Sequence, residues 1–167
     1  PDEDLEREMY HQGIKQLSEG KYHQYEISNL SKKGMECRHN IGYWRLKPYI
    51  GAGLSAHSSI GSKRFWNTSS FTEYFRKIEG CEMPVEDDEN LDPETRASEY
   101  IILGLRMNEG IDFADFENRF GFDAKKRFGT VIEKHRREGL LTKSNTHLRL
   151  TKRGMDLSNI VEVDFLP

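Results

Sequence analysis

The residues of this chain best suited to hold a ligand fall between Met35 and His57. His39-Asn40-Ile41-Gly42-Tyr43-Trp44 joins an imidazole to two large aromatic faces. Haem, or another flat conjugated macrocycle, asks for an axial ligand, of which His is the commonest, and for apolar or aromatic walls. His39 with Tyr43 and Trp44 offers both. Met35, Cys37 and His39 alternate along the chain, so a locally extended backbone would point three soft or borderline ligands to one side. The competing reading of the same residues is a structural histidine, packed or exposed, beside a tryptophan.

A second stretch, Gly51-Ala52-Gly53-Leu54-Ser55-Ala56-His57, sets two glycines where a strand is expected to end. Gly in a strand often marks a close approach of a ligand or of another backbone, and bare amides there can meet a phosphate, a carboxylate or an adenosyl group. The spacing is not the dinucleotide fingerprint Gly-x-Gly-x-x-Gly, since Ala stands at position 56. A strand packed closely on its neighbour is the plainer alternative. No Ser/His/Asp or Cys/His triad, Walker loop or suggestive pair of carboxylates is legible, so spacing alone does not make this an enzyme. Cys37 and Cys81 are the only cysteines, too few for a disulfide framework and wrongly spaced for a Cys-x-x-Cys site; two free thiols are expected.

The chain that must position these residues has 167 of them, enough for one ordinary domain or two small ones, with 35% hydrophobic and 32% charged residues and a formal net charge of -3. That near balance argues neither for nucleic acid nor for a membrane surface. No apolar run is long enough to span a bilayer, and the first residues lack the order of a secretory signal, so a cytoplasmic protein is expected.

Residues 2–19 read as a helix with Leu5, Met9 and Leu17 along one side and Gly20 as its stop; Tyr22 to Ser28 alternates as a half-buried strand. Asn29 to Gly34 reads as a polar turn and Met35 to Trp44 as an ordered loop. Tyr49 to Ala56 reads as a buried strand, Arg64 to Trp66 as another, and Ser70 to Glu79 as a short helix. Glu82 to Asp92 reads as a solvated acidic linker.

Asp92-Pro93-Glu94 opens a helix that runs to about Asn108. A short helix carries Phe113, Phe116 and Phe120, and a third covers 124–138 with Phe128, Val131, Ile132 and His135 inward. Leu140 to Thr142 and Thr146 to Leu150 form a hairpin. Three helices and a hairpin describe a winged-helix-like domain, with Ile160 to Leu166 as a final strand.

Four stretches carry a resemblance: Tyr25-Glu26-Ile27-Ser28-Asn29, Cys37-Arg38-His39-Asn40-Ile41-Gly42-Tyr43-Trp44, the Gly51 to His57 loop, and Leu103-Gly104-Leu105-Arg106. In this order and at these separations they resemble the C-terminal half of the HemN/HemW family, the oxygen-independent coproporphyrinogen III oxidase and its haem-chaperone relative, both radical S-adenosylmethionine proteins. His-Asn-x-x-Tyr-Trp is more similar to the haem-binding signature of the chaperone branch.

The resemblance implies a fold of the α/β class, α+β overall: the C-terminal part of an incomplete radical-SAM (β/α) barrel over 1–80, an acidic linker over 81–92, and a winged-helix-like C-terminal domain over 93–167. It implies that His39, Asn40, Tyr43 and Trp44 are associated with haem, with His39 on the iron, and that Gly51, Gly53, Ser55, Ala56 and His57 line the S-adenosylmethionine side of the barrel. One departure is Leu54-Ser55, where the family pattern expects Pro-Gly or similar.

The family holds its [4Fe-4S] cluster with Cys-x-x-x-Cys-x-x-Cys, and this sequence has no such triplet. The expectation is therefore a piece of a longer protein. S-adenosylmethionine and the cluster belong to the full-length parent, and this polypeptide alone has no radical chemistry. The implied ligand is haem or a porphyrin, and the implied partner of the parent is a haem-accepting protein.

Two alternatives stay open. One is oxidative decarboxylation of coproporphyrinogen III. The other is a winged-helix nucleic-acid-binding module, because from Asp123 to Arg153 ten basic residues stand against three acidic ones.

Overall fold

The computed structural model describes residues 2–167. In chain order it opens with α1 (Glu3–Glu19), β1 (Tyr22–Glu26), β2 (Asn29–Lys32) and α2 (Arg38–Trp44). Next come β3 (His57–Ile60), β4 (Lys63–Asn67), α3 (Phe71–Glu79) and β5 (Val85–Asn90). It closes with α4 (Pro93–Leu105), β6 (Ile111–Asp112), α5 (Phe113–Phe120), α6 (Ala124–Arg127), α7 (Gly129–Arg137), β7 (Leu141–Lys143), β8 (His147–Leu150), α8 (Lys152–Asp156) and α9 (Ser158–Val163). These elements form two compact units, Pro1–Leu46 with Ala97–Pro167, and Lys47–Arg96. The class is mixed helix and sheet, as expected. Every strand pairing among the described residues is antiparallel.

In the first unit the order helix, strand, helix, helix, strand, strand (α4, β6, α5, α7, β7, β8) is that of a winged helix, and β6 joins the hairpin to give the sheet order β6-β8-β7. The core is apolar and aromatic: Ile101, Leu105, Ile111, Phe116, Ile132, Leu148, Val161 and Phe165 are almost wholly buried. Phe116 packs its ring against Tyr100, Phe120, Phe122 and Phe128. The expected helix over 124–138 is broken at Phe128, whose backbone (φ -107°, ψ 13°) leaves the helix while its ring meets Phe165.

Gly104 in α4 lets Ile111 approach so closely that a Cβ there would lie 2.4 Å from Ile111 Cγ2. The segment expected as a final strand is α9, because Val161 and Phe165 are buried four residues apart, the period of a helix and not of a strand.

The N-terminal helix α1 is capped by the Asp2 carboxylate and buries none of its residues. Leu5, Met9 and Leu17 are exposed. Its hold on the first unit is polar: Tyr10 Oη donates to the Ile27 carbonyl, and Arg7 and His11 reach Asp156. The strand after it is one arm of a hairpin, because the expected turn over Asn29 to Gly34 begins as β2, paired with β1.

In the second unit the expected strand over Tyr49 to Ala56 is a loop whose backbone pairs with β3 at the isolated Tyr49↔Ser59 bridge. The acidic stretch expected as a linker is largely strand β5, paired with β4 from Val85 to Asn90. Its charges face solvent and meet basic residues across the ladder, Asp88 with Lys63 and Glu89 with Arg64.

Candidate functional site

The haem-type motif is a short helix, not a loop. Cys37 occupies its N-cap without contributing a side-chain bond, and no residue of α2 is fully buried. At 100° per residue, His39 and Tyr43 share one face, Asn40 and Trp44 the next, and Ile41 and Arg45 the face opposite His39. The His39 and Tyr43 rings meet edge to face, 4.7 Å apart at 85°. His39 is exposed and its ring nitrogens make no hydrogen bond among the described residues, so a lone pair is free to meet a ligand from solvent. Met35 and Cys37 do not join it: Met35 is 77% exposed, and the helix that starts at Arg38 ends the alternation that would have aligned the three.

On the Trp44 side the motif meets two others. Arg106, which closes Leu103-Gly104-Leu105-Arg106, places its guanidinium carbon 4.5 Å from the centre of the Trp44 ring. Its Nη2 lies 3.8 Å from Glu26 and donates to Ser28 Oγ at 3.3 Å. Glu26 is wholly buried, and its Oε1 accepts from Ser28 N and from the Asn29 side-chain amide. The backbone follows the same path: Ile27 N donates to the Arg106 carbonyl, and Asn108 N to the Tyr25 carbonyl.

Four polar atoms of the first unit are buried without a hydrogen-bond partner in and around this ion pair: Glu26 Oε2, Trp44 Nε1, Arg106 Nε and Glu162 Oε1. Burial lifts the Glu162 carboxyl above its ordinary range against the opposing pull of Arg106. Three stretches far apart in sequence thus converge on one charged knot. Alternation over Tyr22 to Ser28 puts Glu26 with Ser28 on the polar face of a half-buried strand, opposite Tyr25 and Ile27; the structure buries Glu26 instead, against Arg106. The available signal was a charge embedded in an apolar run, Tyr25-Glu26-Ile27 and Leu105-Arg106-Met107.

On the face of α2 away from His39, Ile41 and Arg45 line an open cleft of about 470 Å³ together with His23, Tyr25, Glu36, Met107, Asn108 and Glu109. Two pairs, His23 with Glu36 at 2.8 Å and Arg45 with Glu109 at 2.7 Å, stand along it.

The glycine loop belongs to the second unit. A Cβ on Gly51 would lie 2.2 Å from the His57 carbonyl, and Gly51 N donates to the buried Ser58 Oγ. Ser55 N donates to the Thr68 carbonyl, and the Asn67 side chain donates to the Gly53 carbonyl. These bonds shape the loop itself. Gly53 has φ 111° and Ser55 φ 57°, so the departure from Pro-Gly puts a serine where the backbone is left-handed. His57 is exposed and stacks on Trp66, 5.6 Å between ring centres, and Ala56 is half-buried behind it.

Both thiols are exposed, Cys37 in one unit and Cys81 in the other, and no set of three His, Cys, Asp or Glu side chains among the described residues is arranged to hold a metal ion. The residues present do not fit an iron–sulfur cluster. No helix among the described residues is long and apolar enough to cross a membrane.

The basic third helix of the winged-helix fold is largely answered from within its own unit. Arg136 and Lys143 both meet Glu133 at 2.6 Å, Lys134 meets Asp164, and Lys125, Arg149 and Arg153 donate to backbone carbonyls.

Residues 91–157 match the HemN C-terminal domain family. The chain is 33% identical over 166 residues to the heme chaperone HemW of Bacillus subtilis (strain 168), covering 99% of this chain and 44% of that protein. It is 34% identical over 161 residues to the heme chaperone HemW of Mycobacterium tuberculosis (strain ATCC 25618 / H37Rv), covering 96% of this chain and 39% of that one. The chain thus spans less than half the length of these relatives.

Its fold resembles the solved structure of coproporphyrinogen III oxidase (HemN) from Escherichia coli, described as a radical SAM enzyme, with a TM-score of 0.76 at 15% identity over 99% of this chain and 42% of that one. With the domain match and the HemW relatives in agreement, the chain belongs to the HemN/HemW family, whose C-terminal domain it carries at residues 91–157.

Proposed function

We propose that this chain is the haem-binding part of a radical S-adenosylmethionine haem chaperone, with His39 as the iron ligand and Asn40, Tyr43 and Trp44 forming the surroundings of the macrocycle. The observation that carries the reading is the geometry of His39: an exposed imidazole whose nitrogens have no partner among the described residues, braced by the edge of Tyr43. A single ligand on an open helix face leaves the far side of a bound haem uncovered. That arrangement suits a cargo passed to an acceptor protein better than a retained prosthetic group, which is normally enclosed on both sides.

The relatives matched at 33% and 34% identity carry the chaperone name, which favours this reading over coproporphyrinogen III decarboxylation. The oxidase likeness, at 15% identity, speaks for fold alone. Duplex nucleic acid is disfavoured because Glu133 and Asp164 neutralise three of the cations that would meet phosphate.

S-adenosylmethionine and a [4Fe-4S] cluster are assigned to a longer parent acting in the cytoplasm. There residues 1–80 would belong to the barrel, with Gly51 to His57 on its S-adenosylmethionine side, and 93–167 would form the C-terminal domain. The sequence has two cysteines and no Cys-x-x-x-Cys-x-x-Cys triplet, so the residues that would hold the cluster are assigned to that longer parent.

The test is a haem titration followed by absorption spectroscopy on the wild-type chain and on His39→Ala. The expected result is a saturable Soret change that His39→Ala weakens by about tenfold or more, since even the loss of an outer-shell partner of a metal ligand costs about that much. Equal affinity in the two proteins would remove His39 from the site.

A further inference from the structure

We propose that Arg106 is a positioning residue for His39: by stacking on Trp44 while tethered to Glu26, it fixes the orientation of α2 and so sets the affinity for haem without touching the haem. The inference rests on the reading of His39 as the ligand.

The argument begins with how little α2 can do for itself. Seven residues are too few for a stable isolated helix, its cap residue Cys37 contributes no side-chain bond, and none of its residues is fully buried. Its direction must come from tertiary contacts at its C-terminal end. Arg45 supplies one, an ion pair with Glu109 in which both partners are well exposed, the kind that contributes little. Just past the helix the Arg45 carbonyl accepts from Arg119 and Leu46 packs on the core; within the helix, Trp44 lies under the guanidinium of Arg106 at 4.5 Å.

Arg106 is in turn held from the side of the β1–β2 hairpin, by Glu26 at 3.8 Å, by Ser28 at 3.3 Å and through its own carbonyl by Ile27 N. Trp44 Nε1 and Arg106 Nε are both buried without a protein partner, so no direct hydrogen bond locks the indole to the arginine; the stacked faces do. The lock is transmitted over a short distance. Trp44 adjoins Tyr43, and Tyr43 braces the His39 ring four residues back along the same helix.

Lysine separates the two properties of Arg106. It keeps the positive charge that Glu26 needs and gives up the planar face that Trp44 needs. Arg106→Lys is therefore expected to keep the fold and lower haem affinity by roughly three- to thirtyfold, the range of one cation–π contact. Trp44→Leu removes the same contact together with one wall of the macrocycle and should lower affinity at least as far, and the double variant should be no worse than Trp44→Leu alone, since its indole is already gone. On the His39→Ala background Arg106→Lys should change nothing.

Additive losses in the double variant, a further loss on the His39→Ala background, or wild-type haem affinity in Arg106→Lys would each overturn the proposal. A readout independent of haem uses Trp66→Phe protein, in which Trp44 is the only indole. There Arg106→Lys should shift emission to the red and speed amide exchange over residues 38–44, and an unchanged spectrum with unchanged exchange would overturn the hold on α2.

If the wild-type chain shows no saturable haem binding, the ligand reading fails, while emission and exchange still decide whether Arg106 fixes α2. If Arg106→Lys does not fold, Trp44→Leu, which leaves Glu26 paired, carries the test through amide exchange over residues 38–44, where unchanged exchange would overturn the proposal.

Discussion

The carboxylate of Glu26, wholly buried, lies 3.8 Å from Nη2 of Arg106, and this pair joins the end of β1 to the end of α4. A buried charge is tolerated where it is paired and hydrogen-bonded, and Glu26 has both, through Arg106, Ser28 N and the Asn29 amide. Removing one member strands the others. Glu26→Ala is expected to cost about 3 kcal/mol, the low end for breaking a buried pair because the Arg106 side chain is still 23% exposed. Glu26→Gln, which keeps an acceptor for Ser28 N, should cost about half as much. Urea unfolding of the two variants checks the order; equal and negligible losses would mean that water satisfies the pair instead.

Gly104 makes a second joint in the same region, since a Cβ there would lie 2.4 Å from Ile111 Cγ2. Gly104→Ala is expected to destabilise by about 1–3 kcal/mol through overpacking. Ile111→Leu takes away the γ2 methyl that the new Cβ would meet and keeps the side-chain volume. The double variant should therefore recover part of the loss, and simple additivity in thermal or urea unfolding would show that the clash is relieved elsewhere.

What the sequence revealed follows from where its signals lie. Asp92 before Pro93, Asp112 as a cap and Gly121 at φ 77° are local devices, and the helices they bound were legible from them. The hairpin at 147–150 alternates because one face is buried, as Leu148 and Leu150 show. By contrast β5 buries almost nothing, so Glu86, Asp87, Asp88 and Glu89 carry no alternation and read as linker, although their backbone completes a sheet.

The helix α2 lacks a clean period because it buries none of its residues fully, so no apolar stripe marks an inward face. Val161 and Val163 invite a strand by β-branching, and the burial of Val161 with Phe165 overrides that preference. At the candidate site, His39 and Trp44 were visible as residue types. Arg106 as the partner of Trp44 was not, because nothing local pairs two positions so far apart.

The glycine loop yields opposite expectations at neighbouring positions. Ser55 sits at φ 57°, a conformation that costs a non-glycine residue about 1–2 kcal/mol. Ser55→Gly relieves that cost and loses about 0.4–1 kcal/mol to the freer unfolded chain, so a gain of up to about 1 kcal/mol is expected. Gly51→Ala would press a Cβ to 2.2 Å from the His57 carbonyl, and a loss of about 1–3 kcal/mol is expected. Thermal unfolding of the two variants gives the signs; a destabilising Ser55→Gly would mean that the serine side chain stabilises the turn by more than its backbone strain costs.

Glu162 and Asp164 stand two residues apart and should respond to pH in opposite directions. Burial raises the Glu162 carboxyl above its ordinary 4.5, against Arg106 and Ser158. Below 4.5 the group is protonated in both folded and unfolded chains and carries no penalty; as pH rises through its folded value, the charge is held less well than in water and stability is lost. Glu162→Gln is therefore expected to raise the unfolding midpoint at about pH 7 and to lose that advantage at about pH 4 and below.

Asp164 is held below its ordinary 3.8, first by the hydrogen bond from Lys134 and then by His135. Its stabilisation is present above 3.8 and disappears as pH falls through the lower folded value. Asp164→Asn should thus lower the midpoint at about pH 7 and match the parent at about pH 2. Each difference is measured against the parent protein at the same pH, so general acid denaturation cancels. Curves of the same sign for both variants would refute the assignment of burial to one carboxylate and cation pairing to the other.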